Sequence, residues 1–413
     1  MKHFKTRVVN ILVVLCLFRS MTMKMKSRSI AGILVALLAL SAATWAADPA
    51  TNKSFVTRSD GKLVVDGKTF RFSGANLDWL VLANDEFEHL GNNIGTATNS
   101  YYPSKGVIDD AFDTLVKMNG TVARVWSVGC QGTPLSIEPE LGKFNERALQ
   151  QVDYVLDSAK RHGIRLVMTL CDNWDFYTGG RQQFLKWRGL KDHSRFWVDS
   201  DCKADYKAYV ATLVNRKNSL TGVAYKDDPT ILCWESANEF VSPPEWERGM
   251  AVYIKSLDPN HLFMVGNSDV ANSKNAAVQQ RWIAIPEFDI LQRHYYRVHG
   301  LPWAAAKDTA AVTAAGKVFI IGEYGWDGEN ATIEELKGWL KEIETNATVS
   351  GDLFWALRGR KENGDFMAVP GAGGEWWALY YPGRTTGPLN TEADMKARVR
   401  ILSDHAAMMK KTP

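Results

Sequence analysis

From residue 69 onward, short apolar runs rich in β-branched and aromatic residues alternate with longer segments whose apolar positions recur at helical spacing. "TFRFSGANL" reads as a first strand, "IDDAFDTLVKMNG" as a helix ending at Gly120, and "TVARVW" as a second strand. "NERALQQVDYVLDSAKRHG" has a helical apolar stripe and stops at Gly163, a residue suited to a helix C-terminus. "IRLVMTL" is the third strand, "ADYKAYVATLVNRKNSLTG" the next helix, and "TILCWE" the fourth strand. "EWERGMAVYIKSLDP" and "HLFMVGN" form a helix and strand, and "FDILQRHYY" a sixth strand. "AAAKDTAAVTAAG" precedes "KVFIIGEYGW", "TIEELKGWLKEIETN" precedes "GDLFWALRG", and a helix over about 390–409 closes the chain.

Near-continuous apolar strands joined by helices indicate a parallel sheet covered on both faces. Eight strand-then-helix units predict an α/β fold, a single-domain (β/α)8 TIM barrel over residues 47–413. A doubly wound open sheet is the alternative, and a Gly-rich phosphate loop after the first strand would favour it. "SGANLDW" is not such a loop, and "PGAGGEWW" lies near the C-terminus without a strand-turn-helix context.

Charge changes the picture at one end. Of 49 Lys and Arg residues, seven lie in residues 1–46, with no acidic residue among them. Removing them leaves 42 basic against 46 acidic residues, a net charge of −4, and takes away the basic surface that nucleic-acid binding requires. Residues 1–46 read as an export leader: a basic start, the apolar run Ile30–Ala43, and small residues before a cut near Ala46 or Ala47. Fourteen apolar residues fall short of the roughly 20 that a membrane-spanning helix needs. A second apolar run, Val8–Phe18, precedes this one, so the true start is expected at Met21, Met23 or Met25 with the part before it not translated, and a tandem leader is the alternative. The mature chain is therefore expected in the periplasm or outside the cell, as a monomer. Export permits disulfides among Cys130, Cys171, Cys202 and Cys233, and the sequence leaves their pairing, or their survival as free thiols, open.

In a barrel of this type, side chains at the C-terminal ends of the strands face the active site. Polar and aromatic residues recur there: Asn76 and Trp79; Arg124 and Trp126; Asp172, Asn173 and Trp174; Glu235, Asn238 and Glu239; His294, Tyr295 and Tyr296; Glu323; and Trp355. Glu239 and Glu323, after strands four and seven, could meet across the mouth. Paired carboxyls cleave glycosidic bonds, one protonated and one ionised, with pKa values set apart by their surroundings. For Glu239 alone, an end-of-strand ion pair or helix cap is the plain alternative. Glu235, nearer the strand interior, is assigned a supporting polar contact. Arg124 on an apolar strand needs a carboxylate partner such as Glu323. Beside Tyr296, His294 is read as a substrate or nucleophile contact rather than a core histidine. Indole suits the apolar faces of sugars, and Trp79, Trp126, Trp174 and Trp355 occupy mouth positions, whereas Trp339 within a helix belongs to the core. No metal motif and no G-x-S-x-G elbow is present, so neither a metal nor another cofactor is expected.

At these residues the chain resembles glycoside hydrolase family 5, and within it the endo-β-1,4-mannanases, over roughly residues 54–410. "GANLDWLVLAND", "ARVWS", "DNWDFYTGGRQQFLKW", "HYY", "GEYGW" and "LFWAL" are similar to the family's segments, and "TGVAYKDDPTILCWESANE" most specifically so. The resemblance implies Glu239 as general acid/base and Glu323 as nucleophile. It implies that Asn238 holds the sugar 2-hydroxyl, that Tyr296 and Arg124 tune the nucleophile, and that His294 lines the same subsite. Trp355 would lie under the reacting sugar, with Trp79 and Trp174 on flanking units. The implied substrate is a β-mannan-type polysaccharide or oligosaccharide cleaved with retention. Phe240 stands where the family usually has proline, and the chain between His261 and His294 is short for a mannanase. An exo-acting β-mannosidase, another family 5 β-glucanase and a non-catalytic glycan-binding barrel are the alternatives.

Overall fold

The computed structural model describes residues 52–84, 100–125, 128–296, 305–325, 332–367, 378–385 and 390–411. The leader and Trp126 lie outside the described residues.

Eight parallel strands close a barrel. They are β1 (Phe72–Asn76), β2 (Val122–Val125), β3 (Arg165–Thr169), β4 (Ile231–Glu235), β5 (Leu262–Met264), β6 (Ile290–Tyr295), β7 (Val318–Tyr324) and β8 (Val349–Phe354). Each pairs with the next, and β8 returns to β1 with Gly351 opposite Phe72. The outer layer holds α1 (Lys105–Lys117), α2 (Glu146–Arg161), α3 (Gly180–Trp187), α4 (Arg195–Val198) and α5 (Ser200–Val214). It continues with α6 (Pro244–Leu257), α7 (Ala276–Ile283), α8 (Ala305–Ala314), α9 (Ile333–Thr345) and α10 (Glu392–Lys411). None of them is long and apolar enough to cross a membrane.

Local chemistry sets the helix limits. Thr332 and Glu335 form a reciprocal capping box that starts α9. The helix expected to reach Gly222 stops at Val214. Asn218 Oδ1 accepts from the backbone N–H groups of Leu220 and Thr221, and this Asx turn competes with further helix. Trp339 is core, as expected.

Side chains fill the barrel in layers. At the bottom, Phe72, Val122, Val167, Leu232, Leu262, Ile290, Val318 and Leu353 form an apolar cluster. Val56 and Leu63 join it from an N-terminal antiparallel sheet (Thr57–Ser59, Lys62–Val65, Lys68–Thr69) that the strand-helix pattern does not foretell. Above lies a polar layer of Asn76, Arg124, Thr169, Glu235, Gln292 and Glu323, all buried. On the outside, His405 of α10 bridges Asp352 of β8 (3.0 Å) and Glu344 of α9 (3.1 Å), while Ser73 of β1 donates to Asp352 (2.9 Å).

All four described cysteines are buried free thiols, so the open question of pairing resolves as no bridge.

Candidate active site

The polar layer is organised by Arg124, which has no exposed surface and uses all five guanidinium N–H groups. Nε and NH2 grip Glu235 at 2.7 and 3.0 Å. NH1 reaches Glu323 Oε1 at 2.7 Å and Asn76 Oδ1 at 2.9 Å. The second NH2 hydrogen goes to Asn238 Oδ1 at 2.8 Å. Arg124 thus has the Glu323 partner expected of it, and Glu235 has the supporting ion pair assigned to it.

A backbone irregularity turns Glu323 inward. In β7, Val318 and Ile320 face the barrel interior while Phe319 and Ile321 face the helices. Simple alternation would then send Glu323 outward with them. Instead Ile321 and Glu323 pair with consecutive residues of β6, leaving Gly322 as an extra residue. This bulge resets the alternation, so Glu323 faces in and Tyr324 packs outward near Trp339. Gly322 is needed there, because a Cβ would lie 1.9 Å from Gln292 Oε1.

Glu239 sits beyond β4 on a loop with φ +54°, a conformation costing a non-glycine residue about 1–3 kcal/mol. Its neighbours hold it there. Asn238 N–H donates to Cys171 O (2.8 Å), Phe240 N–H to Gly266 O (3.0 Å), and Gly266 N–H to Ser236 Oγ (2.8 Å). Phe240 is buried among Phe196, Trp197 and Trp246, with ring centroids 5.2–5.7 Å away. This packing is what the residue does in place of proline.

The two carboxyls converge with His294. One atom from each of Glu239, His294 and Glu323 lies within 4.8 Å of the other two. His294 Nδ1 is 2.8 Å from Glu239 and 3.4 Å from Glu323. Its Nε2 faces Gln292 Oε1 at 3.2 Å, and the Gln292 amide N–H groups are taken by Glu235 and Val265. Both histidine nitrogens therefore face acceptors. Tyr296 O–H donates to Glu323 Oε2 at 2.6 Å, and Trp174 Nε1–H to Glu239 Oε2 at 2.8 Å.

Electrostatics orders the pair opposite to the sequence expectation. Burial would raise Glu239, but the His294 and Trp174 donors outweigh it and hold the carboxyl at about 2. Burial pushes Glu323 above the ordinary carboxylate range against His294 and Arg124, and the charge of Glu239 adds to the rise. His294 touches both carboxyls.

The tryptophans divide. Trp174 is 41% exposed at the mouth, and Trp355 follows β8 half-buried. Trp79 is 1% exposed, and its indole N–H donates to Leu357 O at 2.9 Å. Expected on a flanking sugar, it is instead part of the wall, because this backbone acceptor draws the ring inward. Gln292 and Thr169, which join Arg124 around Glu235, were not singled out from the sequence. Their inward alternation on β6 and β3 was the available signal.

A family model described as "GH family 5 beta-mannosidase-like" matches residues 53–318. The chain is 34% identical over 228 residues to mannan endo-1,4-beta-mannosidase 1 of Oryza sativa subsp. japonica, covering 51% of this chain and 48% of that one. It spans about half the length of the curated relatives it matches. The endo-1,4-beta-mannanase structure from Rhizomucor miehei aligns with TM-score 0.69 and 25% identity, covering 87% of this chain and all of that one. The endo-beta-1,4-mannanase structure from Thermotoga petrophila aligns with TM-score 0.66 and 25% identity, covering 84% and 78%. With its two glutamates brought together from β4 and β7 and most of the barrel matched, the chain belongs to glycoside hydrolase family 5, in its β-mannosidase-like group.

Proposed function

We propose that this protein is a secreted endo-β-1,4-mannanase that cleaves internal bonds of mannan, glucomannan or galactomannan by retaining double displacement. The observation that carries the reading is the carboxyl pair. Oxygens within 4.8 Å suit a retaining site, where carboxyl groups stand about 5–5.5 Å apart, and leave too little room for the water of an inverting one. Similarity to mannanases from plants, a fungus and a bacterium supports the sugar.

In this mechanism Glu323 attacks the anomeric carbon while Arg124 and Tyr296 orient its oxygens. Glu239 protonates the departing oxygen and then activates water. The donors around Glu239 set one condition. The leaving oxygen must take the place of the His294 or Trp174 contact, and Glu239 then regains the pKa of an acid. The pair must then hold its proton on Glu239, with Glu323 ionised for attack. Asn238 donates to the 2-hydroxyl, Trp355 lies under the reacting sugar, and Trp174 contacts a neighbouring one. Export rests on the pattern of residues 25–47, with cleavage near Ala46 or Ala47.

The test incubates the purified protein with linear mannan, galactomannan, carboxymethyl cellulose and mannohexaose. Products are sized by mass spectrometry, and the first anomer is read by proton NMR. Mixed short manno-oligosaccharides released as β-anomers are expected. Mannose alone from chain ends would make the enzyme exo-acting, and products from cellulose alone would overturn the sugar.

A further inference from the structure

Asp172 follows β3 and has no exposed surface, yet the mechanism above gives it no part. Its Oδ1 accepts from Asn238 Nδ2 at 3.0 Å and from the Trp174 backbone N–H at 3.2 Å. The backbones are tied as well. Asn238 N–H donates to Cys171 O (2.8 Å), Asn173 N–H to Asn238 O (2.9 Å), and Arg181 N–H to Asp172 O (2.9 Å). The β3 and β4 loops are therefore held together at this point, and the Asp172 side chain is aimed at one amide.

That amide has two orientations, and its neighbours permit one. Arg124 NH2, 2.8 Å from Asn238 Oδ1, is a donor only, so it demands the oxygen. Asp172 Oδ1 accepts, so it demands the nitrogen. One Nδ2 hydrogen is thereby consumed, and the other is left in a fixed direction at the mouth. Without Asp172, Arg124 would still select the oxygen, but nothing would hold the amide plane. We infer that Asp172 is a positioning residue that sets the Asn238 amide and thereby the recognition of the sugar 2-hydroxyl. The inference rests on the role proposed for Asn238. Burial pushes the Asp172 carboxyl up to about 8, against the Asn238 and Trp174 donors. The neutral acid still offers Oδ1 as an acceptor and adds no third negative charge beside Glu239 and Glu323. Among the described residues Oδ2 has no hydrogen-bond partner, so an amide nitrogen can replace it without breaking a contact.

The experiment compares 2,4-dinitrophenyl β-mannotrioside with its analogue lacking the 2-hydroxyl on the sugar that carries the leaving group. The readout is the ratio of the two kcat/KM values. Asp172→Ala should lower this ratio by at least about tenfold, the worth of one well-placed hydrogen bond to the hydroxyl. Asp172→Asn, which keeps an acceptor at Oδ1, should retain most of it. If the alanine variant does not fold, Asp172→Cys, close in size and a weak acceptor, carries the same expectation. A variant that slows both substrates equally, or keeps the wild-type ratio, overturns the inference and leaves the proposed function standing. A wild type that cleaves both substrates with no preference removes the role of Asn238 and the inference with it. A wild type that cleaves neither, together with no products from mannan, is the failure of the proposed function itself.

Discussion

Arg124 and Glu235 form a two-pronged pair from which solvent is excluded, with contacts of 2.7 and 3.0 Å and no exposed side-chain surface on either partner. The pair lies beside Glu323, which the same guanidinium holds at 2.7 Å. Arg124→Met would leave two buried carboxylates without their cation, at a cost of about 3–5 kcal/mol. Urea unfolding followed by fluorescence measures this. Adding Glu235→Gln to the Arg124→Met variant should recover part of the loss, since it removes one stranded charge. Equal stability of the Arg124→Met variant and the wild type would remove the pair from the structural account.

The roles proposed for the two glutamates are separable by chemistry. Glu323→Ala and Glu239→Ala should each lose more than about 10³-fold in kcat on mannan, as removal of groups that act as a unit does. Azide distinguishes them on an activated β-mannoside. In the Glu323 variant it should attack from the face the nucleophile occupied and give an α-mannosyl azide. In the Glu239 variant it should intercept the covalent intermediate and give a β-mannosyl azide. Reversed products would exchange the two roles.

Trp174 is more than an aromatic surface, because its N–H contributes to holding Glu239 ionised. Trp174→Phe keeps a ring and removes that donor. Glu239 then rises and keeps its proton to higher pH. Glu239 is the lower of the two carboxyls in the free enzyme, so its titration sets the acid limb of kcat/KM, which should move upward by about half to one pH unit. A limb that stays in place would show that His294, Glu323, Arg124 and Tyr296 set the titration without the indole.

His405 gives stability a pH dependence of its own. Burial would lower its pKa, but Asp352 and Glu344 outweigh this and raise it above the ordinary 6.5. The protonated ring is therefore favoured in the folded state. Its contribution is complete below the unfolded pKa and is lost as pH rises through the folded one. His405→Gln should lower unfolding free energy more at about pH 5.5 than at about pH 9. A cost that grows with pH would contradict the assignment.

Sequence and structure agree where a single strand or a single residue carries the information. The eight strands follow apolar runs, and Glu239, Arg124 and His294 stand at strand ends where inward-facing groups belong. Agreement fails where the answer depends on a partner far along the chain. Trp79 looks like a mouth residue until Leu357 O, 278 positions later, takes its N–H. Glu323 was found by its position at a strand end, although the alternation of "KVFIIGEY" points it away from the barrel. The extra residue at Gly322 is visible only against the register of β6. The ordering of the carboxyl pKa values likewise comes from His294 and Trp174, which no local pattern connects to Glu239.

Gly351 opposite Phe72 joins β8 to β1 across 279 positions, and His405 fastens the last helix over that seam through Asp352. The ring cannot close until β8 has been made. A growing chain can stack its first strands in order, but it keeps two unpaired strand edges until β8 arrives, and the clasp from α10 comes later still. Loss of the final helix would therefore act on the whole barrel and not on its rim. A chain cut before Val349 lacks the partner of β1 and should be cleared or aggregate as an open sheet, although Glu239 and Glu323 are already in it.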